Sequence, residues 1–142
     1  MLISRIASFF KKSKLGDVDS QWCLVGNIVD ERPCGPGGLE IKHGTKHFSP
    51  GTRVYCLPAQ WGDGYEQIMV IGRHRGSKKF VTMVINSDWV ENWRAKVVYN
   101  PEVLRRIRKA VSDEGRANWE SKDQVKQYLR SINDYHRLKA TN

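Results

Sequence analysis

Five residues in the first half of the chain belong to types that bind zinc or act as nucleophiles. They are Cys23, Cys34, His43, His47 and Cys56. A His-x-x-x-His pair binds metal well when one helix face carries both rings, but Gly44 and Pro50 make this segment a poor helix. The cysteines also lack the close spacing of a closed zinc site. We therefore predict no metal site and no cofactor, and we expect buried thiols.

Catalytic motifs are missing from the sequence. A cysteine nucleophile would need Cys34 or Cys56 near a histidine such as His74, and Cys56 lies in an alternating strand pattern that favours burial. There is no Gly-x-Ser-x-Gly, His-Glu-x-x-His, phosphate-loop or dinucleotide motif. The sequence predicts a protein that is not an enzyme; an unrecognised enzyme would have to use the histidines and Asp63 as acid–base groups.

Two segments have the composition of binding sites. The loop Trp61-Gly62-Asp63-Gly64-Tyr65-Glu66 carries two aromatic residues and two acids between predicted strands. Loops on a rigid scaffold often bind partners, and Trp and Tyr are favoured interface anchors. In the alternative interpretation, Trp61 fills the interior of a barrel. The candidate partner-binding residues of this loop are Trp61, Asp63 and Tyr65.

The second segment is a basic hairpin tip. Arg73, His74 and Arg75 stand close to Lys78 and Lys79, between two predicted strands. Such a tip suits phosphate or an acidic partner, and it is also ordinary exposed charge. The densest basic cluster, residues 105–109, falls on a predicted helix, where it is either a solvated face or a phosphate site.

Net charge limits the classes of partner. The 142-residue chain has 24 Lys and Arg against 15 Asp and Glu, a net charge of +9, but residues 16–40 carry a net −4. A basic protein with an acidic patch fits RNA, an anionic membrane surface or an acidic protein. An odd number of cysteines without a secretory signal favours the cytoplasm. No apolar run is long enough to cross a bilayer.

The segment 46–101 resembles a group of small bacterial immunity-like proteins found beside polymorphic toxins. The resemblance rests on Lys46–Cys56, Trp61–Glu66, Val70–Arg75 and Val98-Tyr99. It implies a non-enzymatic protein that binds a partner. The strong positive charge departs from the acidic character common among inhibitors of basic nucleases.

The periodicity predicts the elements that position these residues. Residues 2–14 form an amphipathic helix that docks on the domain or contacts a membrane surface. Predicted strands cover 22–30, 39–42, 52–57, 67–73, 79–85 and 95–99, with a helical turn around Trp89 and Trp93 before the last. Asn100-Pro101 begins a helix that ends at Gly115, and Ser121 with Gln124 begins another.

These elements predict an α+β fold. We expect a strongly bent antiparallel barrel, SH3-like or alternatively OB-like. The N-terminal helix occupies 1–15, and a single domain follows at 22–142, with the barrel at 22–100 and the helical extension at 101–138. The leading hypothesis is a protein-binding module that neutralises a toxin domain by occlusion; the alternative is a small RNA- or DNA-binding protein.

Overall fold

A computed structural model describes residues 20–29, 47–58 and 65–140. Within these ranges it is an α+β fold with five antiparallel strands and two C-terminal helices. The predicted N-terminal helix, the strand at 39–42, Trp61 and Asp63 lie outside the described residues. None of the helices in these ranges has the length and apolar character needed to span a membrane.

The strands fall close to where the sequence patterns predict them. They are β1 (Gln21–Ile28), β2 (Arg53–Pro58), β3 (Gln67–Arg73), β4 (Phe80–Asn86) and β5 (Val90–Val98). Helices α1 (Pro101–Glu114) and α2 (Lys122–Ala140) follow. The four strand predictions that overlap β1 to β4 are confirmed to within two residues at each end.

The strands form one sheet in the order β4-β3-β2-β1-β5. Strands β1 to β4 make a meander, and β5 returns to pair with β1. The sheet must curl, because only Ser87–Trp89, a 3-10 turn, separates the two edge strands. In a flat sheet β4 and β5 would lie about 19 Å apart. The four residue steps from Asn86 to Val90 reach at most about 14 Å. The sheet is nevertheless not closed, since β4 and β5 share no ladder.

The pleat places every charged residue of the strands on one face of the sheet. The register places Leu24, Cys56 and Val70 in one row, and the same face, which we call the inner face, carries only apolar residues along the five strands. All charged residues within the strands lie on the opposite, outer face. Residues 68–72 of β3 are all buried, so both faces of this central strand are covered.

The predicted helical turn around Trp89 and Trp93 is only partly right. Residues 87–89 form the 3-10 turn, but Trp93 lies in β5, which begins at Val90 rather than at residue 95. A bulge in this strand explains the difference. The register shifts between Val25 and Asn27, and Asn92 takes a positive φ of 60°. Because of this shift, Val90 and Trp93, which are three residues apart, both lie beside Gly26. The strand therefore lacks the regular two-residue alternation by which a strand is predicted from sequence.

The helices begin and end at the predicted signals. The Asn100 side chain accepts hydrogen bonds from the backbone N–H groups of Glu102 and Val103, and Gly115 ends α1 in the left-handed conformation. Ser121 Oγ accepts a hydrogen bond from the backbone N–H of Gln124. Both helices contribute to the same hydrophobic core as the sheet, through Ile107 of α1 and Ile132 of α2 among others.

Candidate functional site

The structure places Tyr65 and the basic hairpin, which belong to the two predicted binding segments, at different ends of one strand. Tyr65 precedes β3, whereas Arg73 ends it and His74 and Arg75 begin the following hairpin. The intervening strand is seven residues long, so Tyr65 and the hairpin lie at opposite ends of β3. The two regions must therefore be considered separately.

Tyr65 packs against the second helix. Its ring centroid lies 5.2 Å from that of Tyr128 and 6.0 Å from that of Tyr135. Trp119 meets Tyr128 edge-on at 5.0 Å, and its indole Nε1 donates a hydrogen bond to the Cys56 carbonyl oxygen at 2.7 Å. These aromatic residues join α2 and the segment before it to the sheet. A pocket of about 270 Å³ lies beside them.

A second cluster near Tyr65 has the residue order of a serine hydrolase triad. Ser87 Oγ lies 3.1 Å from His136 Nε2, and His136 Nδ1 lies 3.2 Å from Asp88 Oδ1. Ser87 is completely buried, however, and its hydroxyl donates a hydrogen bond to the Tyr65 carbonyl oxygen at 2.5 Å. A catalytic hydroxyl has to reach its substrate and give its proton to the histidine. In this arrangement the cluster ties the end of α2 to the 3-10 turn, together with the ion pair between Lys139 and Asp88.

His74 organises the basic hairpin from within. Its Nδ1 accepts hydrogen bonds from the backbone N–H groups of Gly76, at 3.0 Å, and Ser77, at 3.4 Å. The ring of His47 lies 5.7 Å away, and the His47 carbonyl oxygen accepts a hydrogen bond from the Arg75 backbone N–H. His74 therefore fixes the shape of the turn that presents Arg73 and Arg75.

Pairing of the strands gathers cationic side chains that are far apart in the sequence. Asn27 lies opposite Arg53, Val25 lies opposite Arg94, and Tyr55 lies opposite Ile71. Arg53 and Arg73 each lie two residues beyond the Tyr55–Ile71 pair, at the end of the β2–β3 ladder. Alternation of side chains then places all three arginines on the outer face. We call Arg53, Arg73 and Arg94 the arginine face.

Two of the three guanidinium groups, those of Arg94 and Arg73, are held by neutral partners. Arg94 donates hydrogen bonds to the Asn27 side-chain oxygen at 2.9 Å and to the Asn92 carbonyl oxygen at 2.7 Å. Arg73 donates to the Lys78 carbonyl oxygen at 3.0 Å, and its guanidinium lies 4.5 Å from the centre of the Phe80 ring. Burial lowers the pKa of Arg94, and the neighbouring charge of Arg53 lowers it further. The charges of Arg53 and Arg94 therefore repel each other.

The basic cluster of α1 is arranged differently. Glu102 pairs with both Arg105 and Arg106, and Asp113 pairs with Lys109. Three of the four cations at 105–109, the densest basic run of the sequence, thus have an acidic partner on their own helix. Across residues 20–29, 47–58 and 65–140, no acidic side chain forms an ion pair with any member of the arginine face.

The cysteines are not poised for chemistry. Cys23 and Cys56 are free and completely buried, which confirms the expected burial of Cys56. Burial raises the pKa of Cys23 to about 12, and it raises the pKa of Cys56 well above its usual value. The thiolate is the nucleophile and the metal ligand, so these thiols are inert in the folded state. No group of three or more potential metal-ligating side chains occurs within the part of the chain described; Cys34 and His43 lie outside it.

Sequence reasoning found Arg73 but missed Arg53 and Arg94. Both arginines have uncharged neighbours on either side, and neither belongs to a basic run. The alternation of each strand shows only which residues share a face with the arginine: Tyr55 with Arg53, and Lys96 with Arg94. Bringing them together needs the strand order and the bulge at Asn92.

Comparisons with protein-family models, curated proteins and solved structures found no match.

Proposed function

We propose that this protein is a non-enzymatic binding module that recognises an anionic partner through the arginine face. The observation that supports this is that no acidic side chain among the described residues forms an ion pair with the arginine face, although its members come from three different strands. On α1, by contrast, Arg105, Arg106 and Lys109 each have an acidic partner. Like charges held close together raise the free energy of the unbound protein. A negatively charged partner removes that repulsion and gains charge-assisted hydrogen bonds from planar guanidinium groups.

We also infer that the scaffold is an SH3-like barrel. A four-strand meander whose fifth strand returns to the first, with a 3-10 turn before that last strand, matches this type. An OB-like barrel has a Greek-key order instead, which contains no meander of four strands. Arginines held on strands keep a fixed spacing, which suits recognition of a patterned charge.

Neutralisation of a toxin domain is one form of this proposal. In that form an acidic surface of the toxin would contact the arginine face and the hairpin at 73–79. Tyr65 would support the scaffold rather than anchor the partner, since its ring packs on Tyr128 and Tyr135.

Heparin affinity chromatography tests the proposed surface with a generic polyanion. We expect the double variant Arg53→Gln/Arg73→Gln to elute at clearly lower salt than the wild type. The control Lys126→Gln/Arg130→Gln removes the same charge from exposed positions of α2, and we expect its elution to shift much less. Arg94 is left in place because it bridges Asn27 and Asn92.

Equal shifts for the two double variants would contradict the proposal. Retention on heparin would then report net charge alone, without a localised recognition surface. Circular dichroism melts of each variant establish that the fold is intact in both arms.

A further inference from the structure

We propose that the anionic partner of the arginine face is a single-stranded nucleic acid, whose phosphates bind the guanidinium groups while its bases stack on Tyr55 and Phe80. This inference rests on the proposed function and names the partner of the same surface. It follows from which side chains share the two outer rows of the sheet.

Each row combines cations with an aromatic ring. The first row runs across β5 to β4 through Arg94, Val25, Tyr55, Ile71 and Thr82. The second, two residues further along β2 and β3, contains the paired residues Glu91, Asn27 and Arg53 of β5, β1 and β2 and the pair Arg73–Phe80 of β3 and β4. Val25 and Ile71 are buried, while Tyr55 and Phe80 are half-buried. The face therefore has two half-buried aromatic rings set among three arginines.

This combination distinguishes single strands from other polyanions. Positively charged surfaces with interleaved aromatic rings bind single-stranded nucleic acids, because the cations follow the phosphates and the rings stack with the exposed bases. Sheet faces suit unpaired bases that splay out onto them. A duplex keeps its bases stacked inside, and an acidic peptide has no flat ring to stack, so neither would use both features.

The charges around the two rows indicate which path the bound nucleic acid takes across the sheet. Glu91 lies at the β5 end of the second row, opposite Asn27, and would repel phosphate there. The other end leads into the hairpin after Arg73, which adds Arg75, Lys78 and Lys79 and has no acidic residue. We infer that the strand crosses from Arg94 toward Phe80 and leaves over this hairpin.

Fluorescence anisotropy with a labelled 12-nucleotide oligothymidylate tests this inference. Comparison probes are the 12-nucleotide oligouridylate, a 12-base-pair duplex and a 12-residue oligoglutamate. We expect both single strands to bind at least about 5-fold more tightly than the duplex or the oligoglutamate. Phe80→Leu, which keeps an apolar side chain beneath Arg73, should weaken single-strand binding by about 5-fold or more, the lower end of the range for loss of one stacked base. The control Tyr99→Leu removes an aromatic ring that is 69% exposed and lies outside the face, and it should leave binding unchanged.

Two results would overturn the inference. Oligoglutamate or duplex binding as tight as that of the single strands would leave anion recognition intact but remove the preference for single-stranded nucleic acid, and in the first case would favour an acidic protein. Unchanged affinity in both Phe80→Leu and a second variant, Tyr55→Leu, would exclude stacking. The heparin experiment fails separately, because it depends on the arginines and not on the aromatic rings.

Discussion

Replacing Trp119 with alanine should destabilise the protein by about 3–5 kcal/mol, the cost of emptying a large buried aromatic site. Trp119 is 5% exposed and contacts the Tyr128 ring. Its hydrogen bond to the Cys56 carbonyl oxygen connects the segment before α2 to the middle of β2. Urea unfolding followed by far-ultraviolet circular dichroism measures the loss.

Two other substitutions bracket this prediction. Trp119→Phe keeps much of the ring volume but leaves the Cys56 carbonyl without its indole donor, so it should cost about 1–3 kcal/mol. Tyr99→Ala removes an exposed aromatic ring and should stay within about 0.5 kcal/mol of the wild type. A loss of less than 1 kcal/mol for Trp119→Ala would contradict the seating of the second helix on the sheet.

The second large effect is expected at the bulge that orients Arg94. A Cβ added at Gly26 would lie 2.4 Å from Val90 Cγ1 and 3.1 Å from the Glu91 carbonyl oxygen. Rotation of a side chain cannot relieve the second contact, because the oxygen belongs to the backbone. We therefore expect Gly26→Ala to cost about 2 kcal/mol in stability, within the usual range for overpacking. Displacement of β5 should also weaken retention on heparin, since the bulge places Arg94 beside Asn27.

Gly76→Ala is the matched control for this variant. Its added Cβ would meet only the His74 ring, at 3.3 Å, on an exposed hairpin. Stability should change by less than about 0.5 kcal/mol. If Gly26→Ala and Gly76→Ala have the same stability, β5 does not pack on Gly26 as the structure shows.

Local signals in the sequence were sufficient for most of the elements. Asn100-Pro101, Gly115 and the pair Ser121–Gln124 act within four residues, so their effect on the helix ends can be read directly from the chain. The alternation in 52–57 and the apolar run in 67–73 likewise predicted β2 and β3. The predicted strand at 95–99 begins five residues after the observed start of β5 at Val90, because the bulge after Val90 interrupts the alternation.

The candidate site was harder to predict because it depends on pairing. Arg53 and Arg94 are 41 positions apart and meet only because β1 lies between β2 and β5. Tyr65 and Arg73, which belong to the two predicted binding segments, are only eight positions apart in the chain but are separated by the length of β3. Proximity along an extended strand is a poor guide to proximity in space, since each residue adds about 3.3 Å.

The most direct test of the arginine face is nuclear magnetic resonance of the side-chain Nε–Hε groups during titration with a heparin hexasaccharide. Assigned arginine signals report each guanidinium separately, which chromatography cannot do. We predict that the largest shifts belong to Arg53 and Arg73, with a smaller shift for Arg94, whose guanidinium already donates to Asn27 and Asn92. Arg105 and Arg106, paired with Glu102, should shift little. Larger shifts on α1 than on the three sheet arginines would contradict the proposed recognition surface.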